Sequence, residues 1–140
     1  MTTHKTTNMN QDIISKTIIA MEKTALEELN RGNPYGYLEI YAGDITYFDP
    51  FKEKRFDGLK TLQKFYDNFH GTVCVEHYEM IDPIVQVSGE ISILSYNLVS
   101  HFVNEVFREK CTEVYRLGPD KQWKIIHSHW SIVQAVNGIE

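Results

Sequence analysis

Residues 41–69 read "YAGDITYFDPFKEKRFDGLKTLQKFYDNF", and this stretch changes character twice. Residues 45–48 are apolar and aromatic with no helical spacing, which reads as a short strand. Asp49 and Pro50 end it, since proline fixes its own φ and an aspartate side chain can bond the backbone two residues on. The charged residues 52–55 extend the turn. Gly58 then opens a segment in which Leu59, Leu62, Phe65, Tyr66 and Phe69 recur at helical steps. A strand between helices therefore carries an acid, Asp49, to its end.

Upstream, Ile14, Ile18, Met21, Ala25 and Leu29 mark one face of an amphipathic helix over residues 12–30. Gly32 suits a left-handed helix cap, and Pro34 suits the first turn of a second, aromatic helix over 34–42 with Tyr35, Tyr37 and Tyr41. Residues 1–10 are polar and are expected to form a flexible tail, leaving 11–140 as a single domain. Downstream of Gly71 come four segments rich in β-branched and aromatic residues, 72–89, 90–103, 105–118 and 122–136. The hairpin-type breaks "SGE", "NE" and "GPDKQ" separate them. Helices followed by an antiparallel meander predict an α+β fold. The sheet must curl round the helices to bury their apolar stripes. That gives a cone-shaped α+β barrel, a curved antiparallel sheet wrapped on N-terminal helices, with a cavity suited to a small molecule.

Composition narrows the partners. The net charge of -5 and the lack of a basic run argue against nucleic acid. No apolar run is long enough to span a membrane, and the polar N-terminus carries no secretory h-region. Cys74 and Cys111 make no disulfide framework and are expected as small core residues, so a reducing cytoplasm is the expected compartment. No phosphate loop, serine-nucleophile motif or CxxC is present, and no cofactor is expected.

The order of elements, together with Gly32, "YAGD" at 41–44, Asp49-Pro50, Gly58 and "FY" at 65–66, resembles the nuclear transport factor 2-like superfamily. Within it, residues 32–69 are similar to ketosteroid isomerases and SnoaL-like polyketide cyclases. The C-terminal "TEVYRLGPDKQWKIIHSHWS" resembles the association domain of calcium/calmodulin-dependent protein kinase II, which ends in a similar tryptophan strand with an HxH and a serine. The resemblance implies the cone fold. It leaves function open between a cofactor-independent isomerase, cyclase or dehydratase and a non-catalytic ligand-binding or association module.

In the isomerase resemblance Asp49 takes the position of the general base. Physically, Phe48 and Phe51 beside it would desolvate the carboxylate and raise its pKa; alternatively Asp49 merely caps the turn. The resemblance places Glu113 near the family's second acid, an oxyanion donor; on an outer face it would pair with a lysine instead. Tyr66 matches a supporting tyrosine, but Ala25 stands where the isomerases carry their main oxyanion-donating tyrosine, so at most trace steroid turnover is expected.

Tyr35, Tyr41, Tyr66, Ser128 and Trp130 are the candidate ligand-binding residues, with plain core packing as the alternative for the aromatics. His127 and His129 share one face of the last strand, but no third ligand stands at a readable spacing, so no metal is expected and an interface role is. His70, His77 and His101 stand apart in the sequence and show no pattern. By strict alternation Trp123 and Ile125 face opposite to Trp130 and Ile132, which would leave the last strand apolar on both faces. A homodimer through the outer sheet face is therefore expected, binding a small, partly apolar molecule in each cone.

Overall fold

A computed structural model describes the backbone of residues 2–134 and the side chains of residues 10–134. The chain runs α1 (Thr2–Asn30), α2 (Tyr35–Ile40), β1 (Tyr41–Phe48), β2 (Phe56–Asp57), α3 (Leu59–Asp67), β3 (His77–Ser88), β4 (Ile91–His101), β5 (Val106–Leu117) and β6 (Trp123–Ile132). The six strands form one sheet in the order β2-β1-β6-β5-β4-β3. Strands β3 to β6 are the expected antiparallel meander. The sheet curves over the helices without closing, and the fold is the expected α+β cone.

Several boundaries differ from the sequence reading. Helix α1 is already helical at Thr2, ahead of Asp12. Strand β1 begins at Tyr41, which takes residues 41 and 42 from the expected second helix. The cause is long-range: Tyr41 pairs with Ile125 in a parallel β1–β6 ladder, so its backbone is committed to the sheet. A two-residue edge strand, β2, lies inside the expected turn, with Phe56 opposite Tyr47. Strand β3 begins at His77 because the chain before it is tied to the end of α1, through Gly71 N–H to the Gly32 carbonyl at 2.8 Å and Val75 N–H to the Asn30 carbonyl at 3.1 Å. Gly32 does adopt a positive φ of 92°, and a Cβ there would approach the Gly71 Cα to 3.2 Å. Cys111 is buried as expected, but Cys74 is exposed. Residues 135 and 136, read as part of the last strand, lie outside the described residues.

Two bulges set which side chains face inward. Asp82, at φ 48°, and Pro83 interrupt the β3–β4 ladder between Ile81 and Ile84, since proline has no N–H to donate. In β6 the register against β5 shifts between Val114, opposite His127, and Tyr115, opposite Ile125. Ile126 is the extra residue, and it reverses the alternation. Trp123 and Ile125 before it and Ser128 and Trp130 after it are therefore all buried on the inner face. The expectation that Trp123 and Trp130 lie on opposite faces is corrected by this bulge, and the apolar-on-both-faces motive for a dimer goes with it.

The core joins α1, through Ile18, Ala25 and Leu26, to α3 and the concave sheet face. At its centre is a carboxylate that the sequence reading passed over. Glu22 is fully buried on the apolar face of α1. Its Oε2 accepts the hydroxyls of Tyr37 at 2.7 Å and Tyr96 at 2.6 Å, and its Oε1 accepts that of Tyr115 at 2.6 Å. One side chain thus ties α1 to α2, β4 and β5. Glu22→Leu strands three buried hydroxyls, each costing about 1–3 kcal/mol. Urea unfolding is expected to show a loss of about 3 kcal/mol or more, against about 1 kcal/mol for Tyr37→Phe.

Candidate functional site

Strand β1 ends at Phe48, and Asp49 follows it into the turn. The Asp49 Oδ2 accepts the Phe51 backbone N–H at 2.9 Å. This is the turn-capping bond, and it holds while the same carboxyl lines a cavity of about 500 Å³. The turn-capping and cavity-lining readings therefore coexist in one geometry. Burial raises the Asp49 pKa, while the Phe51 N–H and Lys52 pull it back. Of the two expected desolvating neighbours, Phe51 lines the cavity with Asp49 and Phe48 does not. Phe48 points to the outer face, with its ring against His127 and His129, and Phe51 is largely exposed. Most of the apolar surroundings come from the rest of the cavity wall, including Phe65, Phe69, Leu98 and Trp130.

The acid that joins Asp49 is Glu109 rather than Glu113. Glu109 lines the same cavity, and burial together with the charge of Asp49 pushes its pKa up to about 7. The signal was in the sequence: along "FREKCTE" the alternation of β5 places Glu109, Cys111 and Glu113 on one face and Arg108 and Lys110 on the other. Glu113 lies deeper on that face, fully buried. Its Oε2 accepts the Ser128 hydroxyl at 2.8 Å, and Ser128 Oγ accepts the Trp130 indole N–H at 3.0 Å. Burial and the nearby Glu22 push the Glu113 pKa well above the usual carboxylate range. The expected Asp49–Glu113 pair is thus replaced by two separate pairs, Asp49 with Glu109 at the cavity and Glu22 with Glu113 in the core behind Trp130.

The other candidates divide similarly. Tyr66 and Trp130 line the cavity. Tyr41 stands behind Tyr66, buried, with their hydroxyls 2.8 Å apart. Ser128 is a link in the core network. Tyr35 lies at the surface, donating to Asp67 at 2.9 Å beside the ring of His70. Ala25 is buried in α1 and brings no polar side chain to the core. His127 lies on the outer face with its Nδ1 2.7 Å from Thr46 Oγ1, and burial, His129 and Arg55 lower its pKa. Two three-residue groups bring potential metal-ligating atoms together among the described residues, His77–Glu79–His101 and Glu22–Cys111–Glu113.

The Glu109 shift has a consequence for stability. Its carboxyl binds its proton more tightly folded, at about 7, than at the ordinary value of 4.5. Folding therefore takes up a proton between these values, and this contribution to stability falls as pH rises through that window and levels off above it. Chemical unfolding of Glu109→Gln is expected to show a stability advantage over wild type that grows from acidic to neutral pH. An unchanged difference would mean that Glu109 is not held away from water.

Residues 14–134 match the profile of the calcium/calmodulin dependent protein kinase II association domain. No curated protein matches the chain. Among solved structures, a candidate ketosteroid isomerase from Parabacteroides distasonis is 40% identical, with 86% of this chain and 89% of that one covered and a TM-score of 0.79. The kinase hub of S. rosetta superposes with a TM-score of 0.71 at 23% identity, covering 84% of this chain and 95% of that one. A candidate dehydratase of the nuclear transport factor 2-like family from Streptomyces avermitilis gives 0.70 at 19% identity, covering 89% and 99%. These last two establish likeness of fold. With the profile spanning nearly the whole described chain and the cone architecture shared throughout, the chain belongs to the calcium/calmodulin dependent protein kinase II association domain family, on a nuclear transport factor 2-like fold.

Proposed function

We propose that the chain binds a small, partly apolar molecule in the aromatic cavity and moves a proton on it, with Asp49 as general base and Glu109 as the acid partner. The observation that carries this reading is one cavity lined by two acids whose pKa values are both raised, with Glu109 near 7. Two carboxyls held apart in pKa divide the labour: the one that is ionised accepts a proton and the one still protonated donates. On a substrate with an acidic C–H beside a carbonyl, Asp49 would take the carbon-bound proton. The Glu109 O–H would then hydrogen-bond the developing enolate oxygen, and return of the proton at another carbon completes an isomerisation. The apolar wall excludes water and strengthens both interactions. The 40% identical relative, described as a candidate ketosteroid isomerase, supports this class of chemistry. Ala25 argues against a steroid as the favoured substrate, because no tyrosine donor stands there. The unpaired thiols of Cys74 and Cys111 suit a reducing compartment such as the cytoplasm.

A second reading, an association module, draws on a different observation. The outer sheet face exposes Ile81, Ile84 and Ile93 on neighbouring strands β3 and β4. Structures named as a kinase hub and as a kinase association domain share the fold. A two-fold pairing of this face would cover the isoleucines. The two readings are compatible, since the cavity and the outer face lie on opposite sides of the sheet.

A thermal-shift screen of small carbonyl compounds, followed by turnover assays on the hits, tests the first reading. Asp49→Asn is expected to lower turnover of a hit by roughly a hundredfold or more. The wild-type rate is expected to fall as pH rises past about 7, where Glu109 loses its proton. Turnover unaffected by Asp49→Asn would defeat the assignment. For the second reading, sedimentation of wild type is expected to show a dimer or larger assembly that Ile93→Glu weakens. A wild-type monomer at micromolar concentration would end it.

A further inference from the structure

The outer face of the sheet carries a cluster that the proposed cavity chemistry does not use. His77 and Glu79 alternate on β3, so both project from that face, and both are exposed. His101, at the end of β4, stands directly opposite His77 in the antiparallel register. The two imidazole rings lie 5.2 Å apart between centroids, and His101 Nε2 is 3.2 Å from Glu79 Oε2. One ligand atom from each of the three residues lies within 4.8 Å of the other two. None of this was readable in the sequence, where His101 is far from His77 and joins it through the β3–β4 register alone.

We propose that His77, Glu79 and His101 form a surface site for a divalent transition metal of the zinc class, with water completing the coordination shell. Two imidazoles and one carboxylate are a borderline nitrogen–oxygen donor set that suits zinc and leaves a fourth position open. Metal–ligand bonds of about 2.0–2.1 Å in a tetrahedral shell put ligand atoms roughly 3.3–3.5 Å apart. From separations of at most 4.8 Å, the ligand atoms need to approach by no more than about 1.5 Å, within reach of side-chain rotations on two strands whose register is already fixed. The other candidates fit less well. In the buried Glu22–Cys111–Glu113 group, both Glu22 oxygens already accept tyrosine hydroxyls, and burial pushes the Cys111 thiol up, away from the thiolate that a metal requires. His127 is tied to Thr46, Phe48 packs on both His127 and His129, and no third ligand joins them among the described residues. The proposal departs from the metal-free expectation of the sequence, and it is independent of the cavity reading.

A metal held by His77, Glu79 and His101 would join the first residue of β3 to the last of β4, and it would stabilise the folded chain by mass action. The test is titration of the untagged, metal-stripped full chain with Zn²⁺ by calorimetry at neutral pH, with Co²⁺ absorption as a spectroscopic readout. One equivalent is expected to bind and to raise the unfolding temperature. His77→Ala and His101→Ala are each expected to weaken binding by at least about tenfold. The exposed ligand substitution Glu79→Gln is likewise expected to weaken binding, and unfolding without metal checks that all three variants are folded. Binding is expected to fade at acidic pH, because the imidazoles must be neutral to ligate. His129→Ala and Cys74→Ser are expected to bind as wild type. The proposal is overturned by the absence of saturable uptake, by uptake unchanged in His101→Ala, or by uptake lost in His129→Ala or Cys74→Ser.

Discussion

A single buried carboxylate, Glu22, organises the inside of the cone. Three tyrosine hydroxyls from α2, β4 and β5 converge on its two oxygens. An unpaired buried carboxylate would be too costly to keep, so helix α1 can dock only where all three donors reach it. Apolar packing alone would tolerate a helix sliding or rotating by a fraction of a turn; three short hydrogen bonds do not. The position of α1 in turn fixes Leu26 and Leu29, which form one wall of the cavity.

The same logic separates the acids by depth. Glu109, Cys111 and Glu113 share the inner face of β5. Glu113 is closed off in the core, held by Ser128, which in turn accepts the Trp130 indole. Glu109, toward the other end of the strand, reaches the cavity where Asp49 turns in from the end of β1. Trp130 thus does two things. Its ring forms cavity wall, and its N–H completes the core network. Both acid pairs lie in low-dielectric surroundings, and each has a member whose proton is held more tightly than in water. The pair in the core serves the fold. The pair in the cavity can meet a ligand.

Bulges divide the two faces of the sheet. The extra residue Ile126 keeps both tryptophans of β6 inside, while His127, His129 and Phe48 stay outside. The kink at Asp82-Pro83 shifts β3 against β4 between Ile81 and Ile84, two of the exposed isoleucines. The outer face therefore carries exposed isoleucines and histidines rather than a second aromatic core.

Features that depend on near neighbours are legible along the chain. The spacing of Ile14, Ile18, Ala25 and Leu29 defined a helix face, Gly32 marked its end, Gly58 marked the start of a later helix, and alternation in the last half of the chain defined a meander. Asp49-Pro50 placed an acid at a strand end. Each follows from local sterics and from the helical or two-residue period, so each can be read along the chain. Glu22 was legible too, four residues after Ile18 in the middle of the apolar face, but a carboxylate there makes sense only once its three tyrosine donors are known. The rest was decided by pairings between distant segments. Strand β1 reached back to Tyr41 because β6 was there to receive it. A bulge at Ile126 reversed an alternation that the period alone would continue. The register of β5 chose Glu109 over Glu113 as the partner of Asp49, and that of β3 against β4 brought His77, Glu79 and His101 together. Register is a property of two strands at once, set by the packing of the whole sheet on its helices, and a single strand's sequence does not contain it.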